Sequence, residues 1–249
     1  MGLKVMLKPH LELAEDTTKR RYQIGRDFRE DDWRIWFASY EGFIKHYALF
    51  AEKKGVEQLC VGTELSATEA RATEWRHIIN EVRNHYSGSL TYSANFDRAG
   101  NITWWDALDY IGVNAYYPLT DLDSPCLAEL KKAWRPYVAG LRRLAVEWQK
   151  PVLFTEIGYR SADGANKRPW AWTEKRPVDL GEQADAYRAT FESVFEKSWL
   201  AGIYWWVWEV DAGQGGPGDD FYTPCGKPAE DILRFWYKAP SDEDDISRF

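Results

Sequence analysis

The sequence is poor in cysteine. Cys60, Cys126 and Cys225 are the only three in 249 residues, far apart and without CxxC spacing, which argues against a disulfide framework or a cysteine zinc site. Positive charge is short as well. Lys plus Arg number 32 against 39 Asp plus Glu, for a formal charge of -7, so the clustered basic surface of a nucleic-acid binder is missing. No run reaches the ~18 uncharged apolar residues of a membrane helix, and the first residues lack the sections of a secretory leader. Neither HExxH nor GxSxG occurs, so the zincin and serine-hydrolase signatures are absent. His77 and His85 sit eight apart on one helical stretch, and read as solvated or core residues rather than ligands. The literal GxGxxG at Gly213–Gly218 contains Pro217 and runs into Asp219-Asp220. It reads as a loop, because no helix starts there to receive a phosphate. Nothing in the pattern asks for a cofactor or a metal.

Aromatic residues are abundant. Fourteen Trp, 14 Tyr and 11 Phe make 16% of the chain. Most of these rings should fill helix–sheet interfaces. Some could instead line a cleft and stack on the C–H faces of sugar rings, and only position separates the two roles. The 45% hydrophobic content is enough for a core and excludes wholesale disorder.

Short apolar strands alternate with amphipathic helices. Strands are expected at Leu3–Lys8, Leu59–Glu64, Leu90–Phe96, Tyr110–Tyr116, Pro151–Glu156 and Gly202–Val210. Helical spacing joins Trp33, Phe37, Tyr40, Ile44 and Ala51, with Lys53-Lys54-Gly55 as its stop. Further helices are expected through Trp75–Tyr86, Leu127–Trp148, Ala184–Phe195 and Ile232–Trp236. Near-continuous apolar strands between helices predict an α/β fold with a helix-covered parallel sheet, of the (β/α)8 TIM-barrel type. Six parallel strands are visible, so the first two βα units of a closed barrel would lie upstream of Met1. Residues 1–240 read as one domain, incomplete at its N-terminus, and 241–249 as an acidic disordered tail.

In such a barrel the functional residues sit at the C-terminal ends of strands. Those ends are His10, Glu64, Asn95 with Asp97, Tyr116, Glu156 and Trp206 to Trp208. A carboxylate that ends an apolar strand is costly unless it has a partner. One alone could cap a helix or pair with an arginine, but Glu64 and Glu156 together among aromatic strand ends suggest chemistry. Glycoside hydrolysis uses such a pair, one carboxyl giving a proton to the leaving oxygen and the other attacking the anomeric carbon or activating water.

Several stretches then make a specific resemblance: Val5-Met-Leu-Lys-Pro-His10, Trp36-Phe-Ala-Ser-Tyr40, Val61-Gly-Thr-Glu64-Leu and Asp109-Tyr-Ile-Gly-Val-Asn-Ala-Tyr116. Others are Phe154-Thr-Glu156-Ile-Gly-Tyr159, Ile203-Tyr-Trp-Trp-Val-Trp208 and Gly226-Lys-Pro-Ala229. In order and content the chain resembles the clan A retaining glycoside hydrolases, and most closely family 113, the endo-β-1,4-mannanases. The resemblance implies Glu64 as acid/base and Glu156 as nucleophile. It implies Tyr116 as the hydrogen-bond donor to the nucleophile, His10 as a polar residue near the scissile sugar, and Trp206 or Trp208 as the platform under that sugar, while Asn95 is expected among the substrate contacts from its place at a strand end. It implies a polysaccharide or oligosaccharide substrate, β-mannan, with no cofactor, nucleic acid or membrane, and leaves oligomeric state open. A polymeric substrate favours an extracellular or periplasmic site. One departure is Thr63, where clan A enzymes usually carry Asn. Another clan A specificity, such as β-glucanase, and an inert sugar-binding barrel fragment are the alternatives.

Overall fold

A computed structural model describes residues 4–14, 19–211 and 213–238. The predicted tail 241–249 and residue Leu3 lie outside these described residues. Strand β1 (Met6–Leu7) is followed by helix α1 (Glu30–Lys54), strand β2 (Gln58–Thr63), helix α2 (Ala72–Arg83), strand β3 (Ser89–Asn95) and strand β4 (Tyr110–Asn114). Helix α3 (Leu127–Trp148), strand β5 (Val152–Ile157), helix α4 (Leu180–Val194), strand β6 (Leu200–Trp205) and helix α5 (Pro228–Trp236) complete the chain. The sheet has six strands in chain order, β1-β2-β3-β4-β5-β6, and β1 to β4 pair in parallel. This is the sheet of a (β/α) TIM-barrel type fold, with six strands among the described residues.

Three expected strands are shorter than the apolar runs that announced them, β4 ending at Asn114 rather than Tyr116. Pairing of β1 is confined to Met6 opposite Gln58 and Leu7 opposite Leu59, because Pro9 follows and has no N–H for a ladder. The last strand stops at Trp205 rather than Val210. The Trp206 N–H still donates to Ile157 O at 2.7 Å, and the peptide bond that follows, Trp206–Val207, is cis. An aromatic run marks burial, but it does not mark where pairing ends.

The chain divides into two compact units, one running up to Asn114 together with Ala145–Val152, the other comprising Ala115–Leu144 and the chain from Leu153 onward. In the first, α1 buries Trp33, Phe37, Tyr40, Ile44, Ala48 and Ala51, steps of three and four that keep one face inward. Acidic residues Glu30, Asp31 and Asp32 open that helix, and Lys53, Lys54 and a left-handed Gly55 close it, as the macrodipole and the αL cap favour. Its aromatic face meets Trp75 of α2, whose ring lies 5.2 Å from Tyr92 and is stacked at 5.1 Å on Trp104. Gly62 lets this cluster approach β2: a Cβ there would lie 2.8 Å from Trp75 and 2.9 Å from Tyr92.

In the second unit, Trp134 is fully buried and packs edge-on against Tyr117 at 5.5 Å. Tyr187 of α4 stacks on Trp205 at 3.9 Å, and Phe191 stacks on Trp236 of α5 at 5.4 Å. Large rings therefore do fill helix–sheet interfaces in both units. Trp170, Trp172 and Trp208 do not, being about half exposed.

Candidate active site

Glu64 is aimed by a local defect in its strand. Cys60 is opposite Thr91 and Thr63 opposite Ser93, so β2 carries one residue more than β3 between these pairs. A bulge of this kind bends the strand and re-aims the side chain after it. The next residue, Glu64, has φ 54°, the left-handed region that non-glycine residues enter only when their surroundings hold them there. Its backbone N–H donates to Ser93 O at 2.9 Å.

The two oxygens of the Glu64 carboxyl meet different groups. Asn114 donates its side-chain N–H to Oε1 at 3.1 Å, and that amide's oxygen in turn accepts from the Ser93 hydroxyl at 2.6 Å. Arg21 lies 3.6 Å from Oε2. The same guanidinium donates to His10 Nδ1 at 2.7 Å and also pairs with Glu12. Since arginine can only donate, Nδ1 must be the bare ring nitrogen, which leaves Nε2 to carry the proton. Thr63 is buried beside Cys60, its hydroxyl 3.7 Å from the thiol. Asn95, at the end of β3, donates to Ser66 Oγ at 3.3 Å.

Glu156 lies in the second unit, within the wholly buried strand β5. Tyr116 donates its hydroxyl to Glu156 Oε2 at 2.9 Å, and both side chains are buried. The Ala115 N–H donates to the backbone oxygen of Glu156 at 2.6 Å, so residues on both sides of that peptide hold the strand end. A Cβ on Gly158 would lie 2.2 Å from the Trp206 carbonyl oxygen. Glycine at 158 is what lets the chain carrying Trp206 pass so near the end of β5. Tyr222 packs edge-on against Tyr116 at 6.4 Å, and burial pushes its phenol pKa well up.

The long loop after β5 is fastened from beneath by buried charges. Glu182, near the start of α4, accepts from the backbone N–H of Gly164 and of Asn166, each at 2.7 Å, and from the Asn166 side chain at 2.8 Å. Burial raises its carboxyl above the ordinary value despite these donors. Lys227 buries its ammonium against Ser161 Oγ and Asp219 Oδ2, both at 2.8 Å, and burial lowers its pKa. Trp170 and Trp172 stand on this loop with exposed faces. Among the described residues, no three His, Cys, Asp or Glu side chains gather as a metal site, and no helix is long and apolar enough to cross a membrane.

Tyr116 and Glu156 are thus brought into direct contact, and His10 into contact with Arg21, which also reaches Glu64. Asn95 instead bonds to Ser66 in the turn that follows β2 and Glu64, and Trp208 is about half exposed. The sequence reading missed Asn114 and Arg21. Asn114 could have been found, since it is a polar residue ending an apolar strand. Arg21 carried no signal, because it lies in an aperiodic loop.

Parallel strands with helices between them are the architecture of the TIM-barrel type, and two of these strands end in glutamates with hydrogen-bond donors on their carboxyls. The profile of glycoside hydrolase family 113 matches residues 1–227, and the chain belongs to that family. Among solved structures, a family 113 β-1,4-mannanase described as a complex is 33% identical, with a TM-score of 0.84 over 96% of this chain and 75% of the other. The family 113 β-mannanase of Alicyclobacillus acidocaldarius, solved with ManMIm, is 34% identical, with a TM-score of 0.79 over 94% of this chain and 73% of the other. The β-glucuronidase of Ruminococcus gnavus, 12% identical with a TM-score of 0.62, shares the fold alone. A comparison with curated proteins gave no match. The chain is a glycoside hydrolase of the mannanase-like type.

Proposed function

We propose that the protein is a retaining endo-β-1,4-mannanase working by double displacement, with Glu156 as nucleophile and Glu64 as acid/base. The observation that carries the reading is the buried hydrogen bond from Tyr116 to Glu156 at 2.9 Å. A phenol donor aimed at a carboxylate stabilises its ionised form, as a nucleophile requires. The substrate class rests on the two family 113 structures described above as mannanases.

In the first step Glu156 attacks the anomeric carbon, the glycosidic C–O bond breaks, and Glu64 gives its proton to the departing oxygen. In the second, Glu64 takes a proton from water, the water oxygen attacks the same carbon, and Glu156 is released. Arg21 and Asn114 would steady the Glu64 carboxylate formed between the steps. Trp206 and Trp208 are the proposed sugar platforms, with His10 and Asn95 as polar contacts.

The test compares two variants on two substrates. Glu156→Gln should abolish turnover of everything. Glu64→Ala should lose manno-oligosaccharide cleavage but keep kcat/KM on a dinitrophenyl mannobioside, whose leaving group needs no proton. Equal loss on both substrates refutes the role of Glu64. Faster cleavage of cello-oligosaccharides than of manno-oligosaccharides refutes the substrate assignment in favour of a β-glucanase.

A further inference from the structure

Glu69 is a carboxylate in the wrong place for a purely structural residue. It is 2% exposed, in the turn after Glu64, and lies outside the groups given roles above. Its Oε1 accepts from the Tyr92 hydroxyl at 3.0 Å, and its Oε2 from Arg98 Nε at 3.3 Å. Its backbone oxygen accepts from the Trp104 indole at 3.0 Å. The Tyr92 hydroxyl, having donated to Glu69, accepts the backbone N–H of Leu65 at 3.0 Å. That N–H belongs to the peptide joining Leu65 to Glu64, the residue with φ 54°. Tyr92 itself cannot swing away, since its fully buried ring lies 5.2 Å from Trp75 and 5.0 Å from Trp104.

A left-handed, non-glycine residue is strained and persists only where neighbours over-determine it. Here the bulge in β2 sets the strand side of Glu64, and the Leu65 N–H bond sets the other side. Tyr92 and Arg98 take different oxygens of a carboxyl sealed from solvent, so the hydroxyl's direction is fixed by Glu69. A tyrosine hydroxyl that donates to Glu69 points its lone pair at Leu65.

Resting on the acid/base reading of Glu64, we propose that Glu69 and Tyr92 are positioning residues: the buried chain from Glu69 through the Tyr92 hydroxyl to the Leu65 N–H holds the Glu64 backbone in the conformation that presents its carboxyl for proton transfer. The groups that face Glu69 are Tyr92 and Arg98, with Asp97 near enough to oppose its charge. A displacement near 1 Å can cost about 10²-fold in rate. The loss should fall on the proton-transfer step alone.

The experiment measures kcat/KM of Tyr92→Phe, Glu69→Leu and Glu69→Gln on a manno-oligosaccharide and on dinitrophenyl mannobioside, with Glu64→Ala in parallel. Tyr92→Phe keeps the ring and removes only the hydroxyl, so thermal denaturation should confirm an intact fold. Expected is a fall of roughly 10- to 100-fold on the oligosaccharide with little change on the dinitrophenyl substrate. Glu69→Leu should behave alike, whereas Glu69→Gln, which keeps an acceptor for the hydroxyl, should recover most of the loss. Equal falls on both substrates in Tyr92→Phe, or no fall on either, overturns the inference. So does Glu69→Gln as impaired as Glu69→Leu. If Glu64→Ala shows the leaving-group pattern and Tyr92→Phe does not, the inference fails and the acid/base reading stands. If Glu64→Ala loses both substrates equally, that reading fails and takes the inference with it.

Discussion

Replacing Glu69 by Gln should change how stability depends on pH, by an amount the burial of Glu69 sets. Burial, outweighing the bonds from Tyr92 and Arg98, pushes its carboxyl from 4.5 up to about 7. The folded pKa lies above the unfolded one, so between these values the folded chain keeps a proton that the unfolded chain has lost. Stability from this group is therefore fully present below about pH 4.5 and declines as pH rises, until ionisation in the fold is complete just above 7. At ~1.4 kcal/mol per pH unit the decline amounts to about 3 kcal/mol. Glutamine does not titrate, so the variant lacks this slope. Other carboxyls, Glu182 among them, titrate alike in both proteins and cancel in the difference. Urea unfolding of both proteins at intervals from pH 4.5 to 8 measures it. The stability of Glu69→Gln relative to the parent should rise by about 3 kcal/mol across that range. The lost Arg98 contact adds only a constant offset. A difference flat to within about 1 kcal/mol would mean that Arg98 and solvent keep the carboxylate satisfied, and the burial argument would be wrong.

Two further outcomes are expected. Tyr116→Phe removes one charge-assisted hydrogen bond to Glu156, worth roughly 1.5–3 kcal/mol, so kcat/KM should fall about 10- to 100-fold, and the melting temperature should drop as well because both groups are buried. Steady-state kinetics that show less than about a threefold fall would mean the phenol does not support the nucleophile. Gly158→Ala forces a Cβ to within 2.2 Å of the Trp206 carbonyl oxygen, and neither backbone can yield easily. Overpacking of this kind destabilises by about 1–3 kcal/mol. A denaturation midpoint equal to the parent's would show that the two backbones are not so close.

The sequence by itself determined which stretches form strands and helices and singled out the carboxylates at two strand ends. The spacing of Trp33, Phe37, Tyr40 and Ile44 gave α1, because a 3.6-residue period is a local property that any helix must satisfy. The Lys53-Lys54-Gly55 stop was legible for the same reason: its cap lies within one turn. Glu64 and Glu156 could be singled out because a carboxylate ending an apolar strand violates the burial pattern around it. Tertiary structure alone decided what those carboxylates touch. Tyr116 meets Glu156 across 40 positions of sequence, and Asn114 meets Glu64 across 50. Such contacts follow from strand pairing, which no local pattern encodes. The left-handed turn at Glu64 has the same origin. Nothing about Thr63-Glu64-Leu65 asks for φ 54°, and a glutamate there would ordinarily avoid it. The conformation is imposed by the register slip against β3 and by Tyr92, 27 residues away from the N–H it receives. Composition likewise announced an aromatic surplus, but only packing separated Trp75 and Trp104, sealed in the core, from Trp170 and Trp208, left with faces open to solvent.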